Sequence, residues 1–262
     1  MVKWTLRLVA LAYFTFLLVL PVGLVFWHTF ENGVAPVFQA LTAPNALHAL
    51  QLSLVVAGFA VVGNTIFGVG LAILLVRHDF PGKRILDAVV DLPVAVSPVV
   101  AGLALILVYG RITPIGSWLS DQGIAVIFDV PGMVLATIFV SLPLVVRAVA
   151  PVLVEIGTDQ EQAAWTLGAS AFQTFRRITL PAIRWALVFG VVLTLARGLG
   201  EYGAVAVVSG RLVGRTQTAT LFVEERFQNF DQPTAYAMAF ALAAMAIVVL
   251  LAVSFLRPRE TA

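Results

Sequence analysis

Gln162 to Pro181 reads QAAWTLGASAFQTFRRITLP, the longest polar interruption on the basic side of an otherwise hydrophobic chain. Glu161 through Leu167 is good helix-forming sequence, Gly168 and Ser170 supply a turn or a cap, and Phe172 to Ile178 predicts a second short helix. Pro181 then stops that helix or starts the next, because it lacks a backbone donor. Such a helix-turn-helix presents the small residues Ala163, Ala164 and Gly168, over which another protein's surface approaches closely. Phe172 and Phe175 are placed to fill a partner's pocket, with Arg176 and Arg177 at its rim. The alternative is an amphipathic loop lying on lipid headgroups, which the two arginines also suit.

The composition around this stretch fixes the solvent. Of 262 residues, 60% are hydrophobic and only 11% charged, with a mean hydropathy of +0.99. That balance belongs to a bilayer protein and excludes an ordinary soluble domain. There is no cysteine, so disulfides and thiolate metal sites are excluded. A formal charge of +2 is too small to point to nucleic acid.

Six apolar spans are bracketed by charges, about 8–27, 49–76, 92–110, 130–154, 185–210 and 232–256, in one unit covering 1–262. The first follows Lys3 and Arg7 in the manner of a signal peptide. Its 20 uncharged residues and lack of a small-residue cleavage site predict a retained helix instead, kinked by Pro21 and Gly23. Residues 28–48 read as a loop with one short interfacial helix. The second span carries Gly58, Gly63, Gly68 and Gly70 beside Asn64 and Thr65, a pattern for close helix packing.

A short basic loop, 77–91, leads into the third span, where Pro93 and Pro98 in DLPVAVSPVVAGL argue against an unbroken helix. Carbonyls freed there are tolerated at membrane depth only if protein or water covers them, so Ser97 and Pro98 are pathway candidates. The bland alternative is a kink packed against a neighbouring helix. The fifth span holds Arg197 and Glu201, the charges set inside a span; at a spacing of four they share a helical face and pair.

Lysines and arginines are unevenly divided. One side of the bilayer receives Lys3, Arg7, Arg77, Lys83, Arg84, Arg147, Arg176, Arg177, Arg184, Arg257 and Arg259, and the other Arg111, Arg211, Arg215 and Arg226. The positive-inside rule therefore predicts that both termini and the 155–184 loop are cytoplasmic, in an inner or plasma membrane of prokaryotic type.

The spacing within Gln162 to Pro181 resembles the EAA loop of ATP-binding-cassette (ABC) importer permeases, which runs Glu-Ala-Ala, three residues, Gly, nine residues, Ile, one residue, Leu-Pro. Here Ala163 and Ala164 precede Gly168, nine residues separate Gly168 from Ile178, and Leu180-Pro181 closes the pattern. Gln162 departs from it, standing where the family usually has Glu. The segments LPVAVSPVVAGL, PGMVLATIFVSLP and LARGLGEYGAVAVVSG are similar to the W-type permease subunit of sulfate/thiosulfate importers, within the sulfate/molybdate group.

That resemblance implies an all-α polytopic membrane protein of six transmembrane helices, with the type I importer fold and a cytoplasmic coupling helix. It implies half of a heterodimeric pore completed by a second homologous permease subunit, two copies of an ATPase subunit, and an extracytoplasmic anion-binding protein. Gln162, Ala163, Ala164, Gly168, Ile178, Leu180 and Pro181 would couple to the ATPase, which would bind ATP and Mg; this chain would bind no cofactor. A molybdate or tungstate importer is the alternative within the group, since both substrates are tetrahedral dianions.

Two other classes fit less well. A membrane enzyme needs convergent titratable groups, whereas His28, His48 and His78 lie outside the spans and no HExxH or GxSxG is present, so neither catalytic nor metal-ligating residues are expected. A secondary anion transporter would carry coupling carboxylates or two similar halves with broken helices, and Glu201 stands alone beside Arg197. There is also no GxxxxGK[ST] loop, so any ATP must be bound by another chain.

Overall fold

The computed structural model describes residues 2–256. The basic tail at Arg257 and Arg259 counted above lies outside the described residues. Those described are helical throughout, with no strand among them: α1 (Trp4–Phe30), α2 (Val34–Thr42), α3 (Pro44–Arg77), α4 (Lys83–Ala95), α5 (Pro98–Tyr109), α6 (Pro114–Asp121), α7 (Val130–Ile156), α8 (Asp159–Thr166), α9 (Ala171–Leu199), α10 (Gly203–Val208), α11 (Ala219–Gln228) and α12 (Gln232–Leu256). Five of them, α1, α3, α7, α9 and α12, are long and apolar enough to cross a bilayer, and the bent α4–α5 pair meets the same measure when its two helices are taken together. This is the polytopic all-α architecture expected.

The centre is the mutual packing of α3, α7 and α9. Without a hydrophobic drive between helices in lipid, close approach depends on small residues. A methyl added at Gly68 would lie 2.8 Å from Val145 Cβ, and one at Gly190 would lie 3.0 Å from the Val145 backbone. Gly63 likewise abuts Ile138, whereas Gly58 and Gly70 face open space, so only half of the expected glycine stripe is a packing surface. Asn64, fully buried, donates to Ser141 at 2.7 Å and supplies a polar contact between α3 and α7. At the end of this core nearest the Gln162 loop, Val69, Leu75, Val145, Val149, Leu153 and Ile183 form one apolar cluster. The helix α1 is peripheral and meets α12 through Phe26 and Phe30 against Phe240.

Two spans are interrupted. The third breaks beside Pro98, as its two prolines predict: α4 and α5 meet at 116°, with the bend at Val96 and Ser97, while α4 begins at Lys83 inside what read as a basic loop. Arg147 on α7 holds α4 in place, reaching Asp87 at 2.7 Å and Asp91 at 2.6 Å. The fifth span ends at Leu199, where Gly200, Glu201 and Tyr202 break the chain before α10.

The Gln162 loop is also shorter than the expected 155–184, because α9 starts at Ala171 and runs through Pro181. Pro181 neither stops nor starts a helix; the turn ahead of it is widened. Phe175–Thr179 is a π turn, in which the Leu180 amide donates to the Phe175 carbonyl, and the wider ring makes room for the proline. The same solution recurs at Thr15–Val19, where Leu20 donates to Thr15 just before Pro21.

Candidate functional site

Two groups of sequence-derived candidates sit towards opposite ends of α9. At its start is the Gln162 loop, whose shape is set by three local devices. The helix α8 closes in a Schellman turn, with the Ala169 amide donating to Ala164 O and the Gly168 amide to Trp165 O, both at 3.0 Å. Gly168 stands at φ +83°, the left-handed conformation that such a turn requires. Ser170 then opens α9 with a capping box: the Gln173 amide donates to Ser170 Oγ at 3.3 Å, and the Ser170 amide donates to Gln173 Oε1 at 2.9 Å.

The outward face of this unit carries Gln162, Ala163 and Gly168, with Ala164 half-buried beneath them. Gln162 Nε2 donates to Thr158 Oγ1 at 2.9 Å, which leaves its carbonyl oxygen free. A groove of about 330 Å³ runs between α8 and the first turns of α9, lined by Leu167, Gly168, Gln173, Arg177 and Ile178 among others. Large apolar side chains stand in the open around it: Trp165 at 54%, Leu167 at 88% and Phe172 at 69% exposure. Phe175, expected to join Phe172 in a partner's pocket, instead turns inward and packs against the cluster of Leu153 and Ile183. Trp165 and Leu167 take its place, and no sequence pattern separates them from core residues. Leu180 is half-buried and Pro181 exposed on the first turns of α9.

The second group gathers where two helix breaks meet. A Cβ on Gly203, at the start of α10, would lie 3.0 Å from Pro98 Cβ, and one on Gly102 would lie 2.9 Å from both the Ala204 carbonyl and Val207 Cβ. The bend at Ser97 and Pro98 and the break at Glu201 are therefore neighbours, and all four pathway candidates belong to one region. Ser97 is exposed, and no side chain caps the start of α5.

Arg197 and Glu201 pair as expected, Nη1 to Oε2 at 2.7 Å, but not as two rungs of one helix. Arg197 lies in the last turn of α9, where a cation complements the helix dipole, and Glu201 lies in the break beyond. Glu201 Oε1 accepts the Ala204 amide at 2.9 Å, and its main-chain carbonyl accepts from Thr220 Oγ1 at 2.8 Å. Its side chain is 2% exposed against 39% for Arg197. Glu201 is thus a structural joint, its carboxylate tied to α10 and its main-chain carbonyl to α11, while the guanidinium offers its remaining donors to the outside.

A family model described as "Binding-protein-dependent transport system inner membrane component" matches residues 64–261. The chain is 48% identical over 258 residues to the sulfate transport system permease protein CysW of Synechocystis sp., covering 98% of this chain and 94% of that one. With the protein of the same name from Escherichia coli K12 it shares 45% over 257 residues, covering 98% and 88%. Its fold is similar to a chain of the bacterial alginate ABC transporter solved with a pentasaccharide-bound periplasmic protein, at a TM-score of 0.80 and 16% identity, covering 99% of this chain and 95% of that one. On the match to three quarters of its length and the two full-length relatives, the chain belongs to the inner-membrane permease family of binding-protein-dependent ABC transport systems.

Proposed function

We propose that this chain is one half of the pore of an ATP-driven sulfate importer, the W-type subunit, paired with a second homologous permease subunit. The capped loop from Asp159 to Ser170 docks into a cytoplasmic ATPase, one of two copies that bind ATP and Mg. Gln162, Ala163, Ala164, Gly168 and Ile178 form the contact, with Leu180 and Pro181 extending it along the first turns of α9. An extracytoplasmic anion-binding protein delivers the dianion on the opposite face. Both termini lie in the cytoplasm, a reading supported by the lysine and arginine count.

One observation carries this reading. A continuous helix, α9, bears the exposed, conformationally fixed loop at one end and Arg197 at the other, beside two breaks in the membrane helices. Movement imposed on the loop is thereby felt where irregular backbone meets a guanidinium that still has donors to offer beyond its pair with Glu201. Arg197 gives the passing dianion a charge-assisted contact, and Glu201 keeps that contact weak enough for release.

The test is reconstitution. The chain, its partner permease and two ATPase copies in proteoliposomes should take up labelled sulfate only when ATP is enclosed with the ATPase and loaded binding protein is on the other side. Uptake of molybdate with no uptake of sulfate would reassign the substrate; uptake without ATP would reject the ABC mechanism.

A further inference from the structure

Next to Gln162, the residue Glu161 turns the other way. It is the one residue of α8 that is buried, and its carboxylate meets Arg77, the last residue of α3, with Nε 2.9 Å from Oε2. The two side chains are only 10% and 9% exposed. Arg77 spends its other donors on the end of α7: Nη1 donates to the Leu153 carbonyl at 2.9 Å and Nη2 to the Gly157 carbonyl at 2.7 Å. On its far side, Glu161 Oε1 accepts from Thr179 Oγ1 at 2.8 Å, in the π turn of α9. One carboxylate therefore joins α8 to the ends of the three helices that form the core of the bundle.

The chemistry of the link matters because α8 has little else. None of its side chains belongs to the apolar cluster formed by Val69, Leu75, Val149, Leu153 and Ile183 at this end of the bundle. Interdigitated apolar side chains resist sliding and rolling alike, whereas a guanidinium with several donors stays bonded to a carboxylate through a change of angle. A buried pair is also little screened by salt, so it transmits both push and pull.

We propose that Glu161 is the positioning residue through which displacement of the loop reaches the membrane helices. Arg77 hands it to α3 and α7, and Thr179 hands it to α9. This rests on the importer reading above and assigns the transmitting contact to the buried face of α8, opposite the docking face.

The experiment measures ATP hydrolysed per sulfate imported, in proteoliposomes holding the full complex and loaded binding protein. Glu161→Gln keeps the shape and an acceptor for Thr179 but removes the charge, and is expected to raise that ratio about 10-fold. Thr179→Val leaves the ion pair and cuts only the α9 branch, with an expected rise of about 3-fold. A residue needed merely for folding would lower the amount of active complex, so hydrolysis and uptake would fall together at a constant ratio. An unchanged ratio in Glu161→Gln overturns the proposal. If that variant does not assemble, Thr179→Val decides, and an unchanged ratio there overturns it equally. A wild-type complex without sulfate-stimulated hydrolysis would instead overturn the importer reading on which this rests.

Discussion

Gly203 leaves room for Pro98: a methyl on the glycine would come within 3.0 Å of the proline Cβ, so the start of α10 and the start of α5 are held in direct contact. Neither helix is long enough to span a bilayer. Each completes the other's burial, and the contact extends through Gly102 against Ala204 and Val207.

That contact predicts a steric cost. Gly102→Val places two extra methyl groups where one Cβ already meets a backbone carbonyl at 2.9 Å. The expected loss is about 1–3 kcal/mol from overpacking, and more if α10 is displaced. Thermal unfolding in detergent checks it: Gly102→Val should melt well below wild type, whereas Gly58→Val, at an open position, should not.

Glu201 and Arg197 are separable by substitution. Glu201→Ala leaves the Ala204 amide and the Arg197 guanidinium without their partner, whereas Glu201→Gln keeps an acceptor for Ala204. The alanine variant should therefore be less stable than the glutamine variant by about 1 kcal/mol, the usual worth of such a cap. Arg197→Lys retains the charge but loses the planar set of donors. Sulfate uptake should fall about 10-fold in complexes matched for basal hydrolysis, as one charge-assisted hydrogen bond is worth roughly that factor. Equal uptake would confine the pair to a structural role.

At Gly168 the cost is conformational. The residue sits at φ +83° with open space around a built Cβ, so strain and not crowding is the penalty. Gly168→Asn tolerates that backbone and should fold nearly as well as wild type, while Gly168→Val should destabilise the loop by about 1–2 kcal/mol. Both add a side chain to the docking face. Both should therefore weaken binding of the isolated ATPase to detergent-solubilised permease, and wild-type affinity in Gly168→Asn would remove the loop surface from the contact.

The orientation is open to chemical labelling, because the chain has no cysteine of its own. A single cysteine at exposed Asn229 should react with an impermeant maleimide in intact cells, and one at exposed Ser170 only after lysis. The reverse pattern would place the loop outside and out of reach of any ATPase.

The loop and the spans were legible in the sequence to different degrees, for physical reasons. Gly168 and Ser170 announce their roles through backbone chemistry that acts over four residues, so the Schellman turn and the capping box could be anticipated. Hydropathy reports where a run is apolar but not whether it forms one rod. Residues 185–210 therefore read as a single span, although a three-residue break divides it, whereas Pro93 and Pro98 announced the interruption within 92–110 by their backbone chemistry. The side-chain directions of Phe175, Trp165 and Glu161 depend on α3 and α7, far away in sequence. The motif drew attention to Gln162, yet the charge next to it is the one that Arg77 turns inward.

The π turn at Phe175–Thr179 sets a phase as well as accommodating Pro181. One additional residue in a helical turn rotates everything beyond it by about 100° relative to an uninterrupted helix. Which azimuth Arg197 occupies, about five turns further on, is thus fixed by the ring size of a single turn beside the loop. Deleting one residue there would leave both ends of the rod intact and aim the guanidinium at a different neighbour.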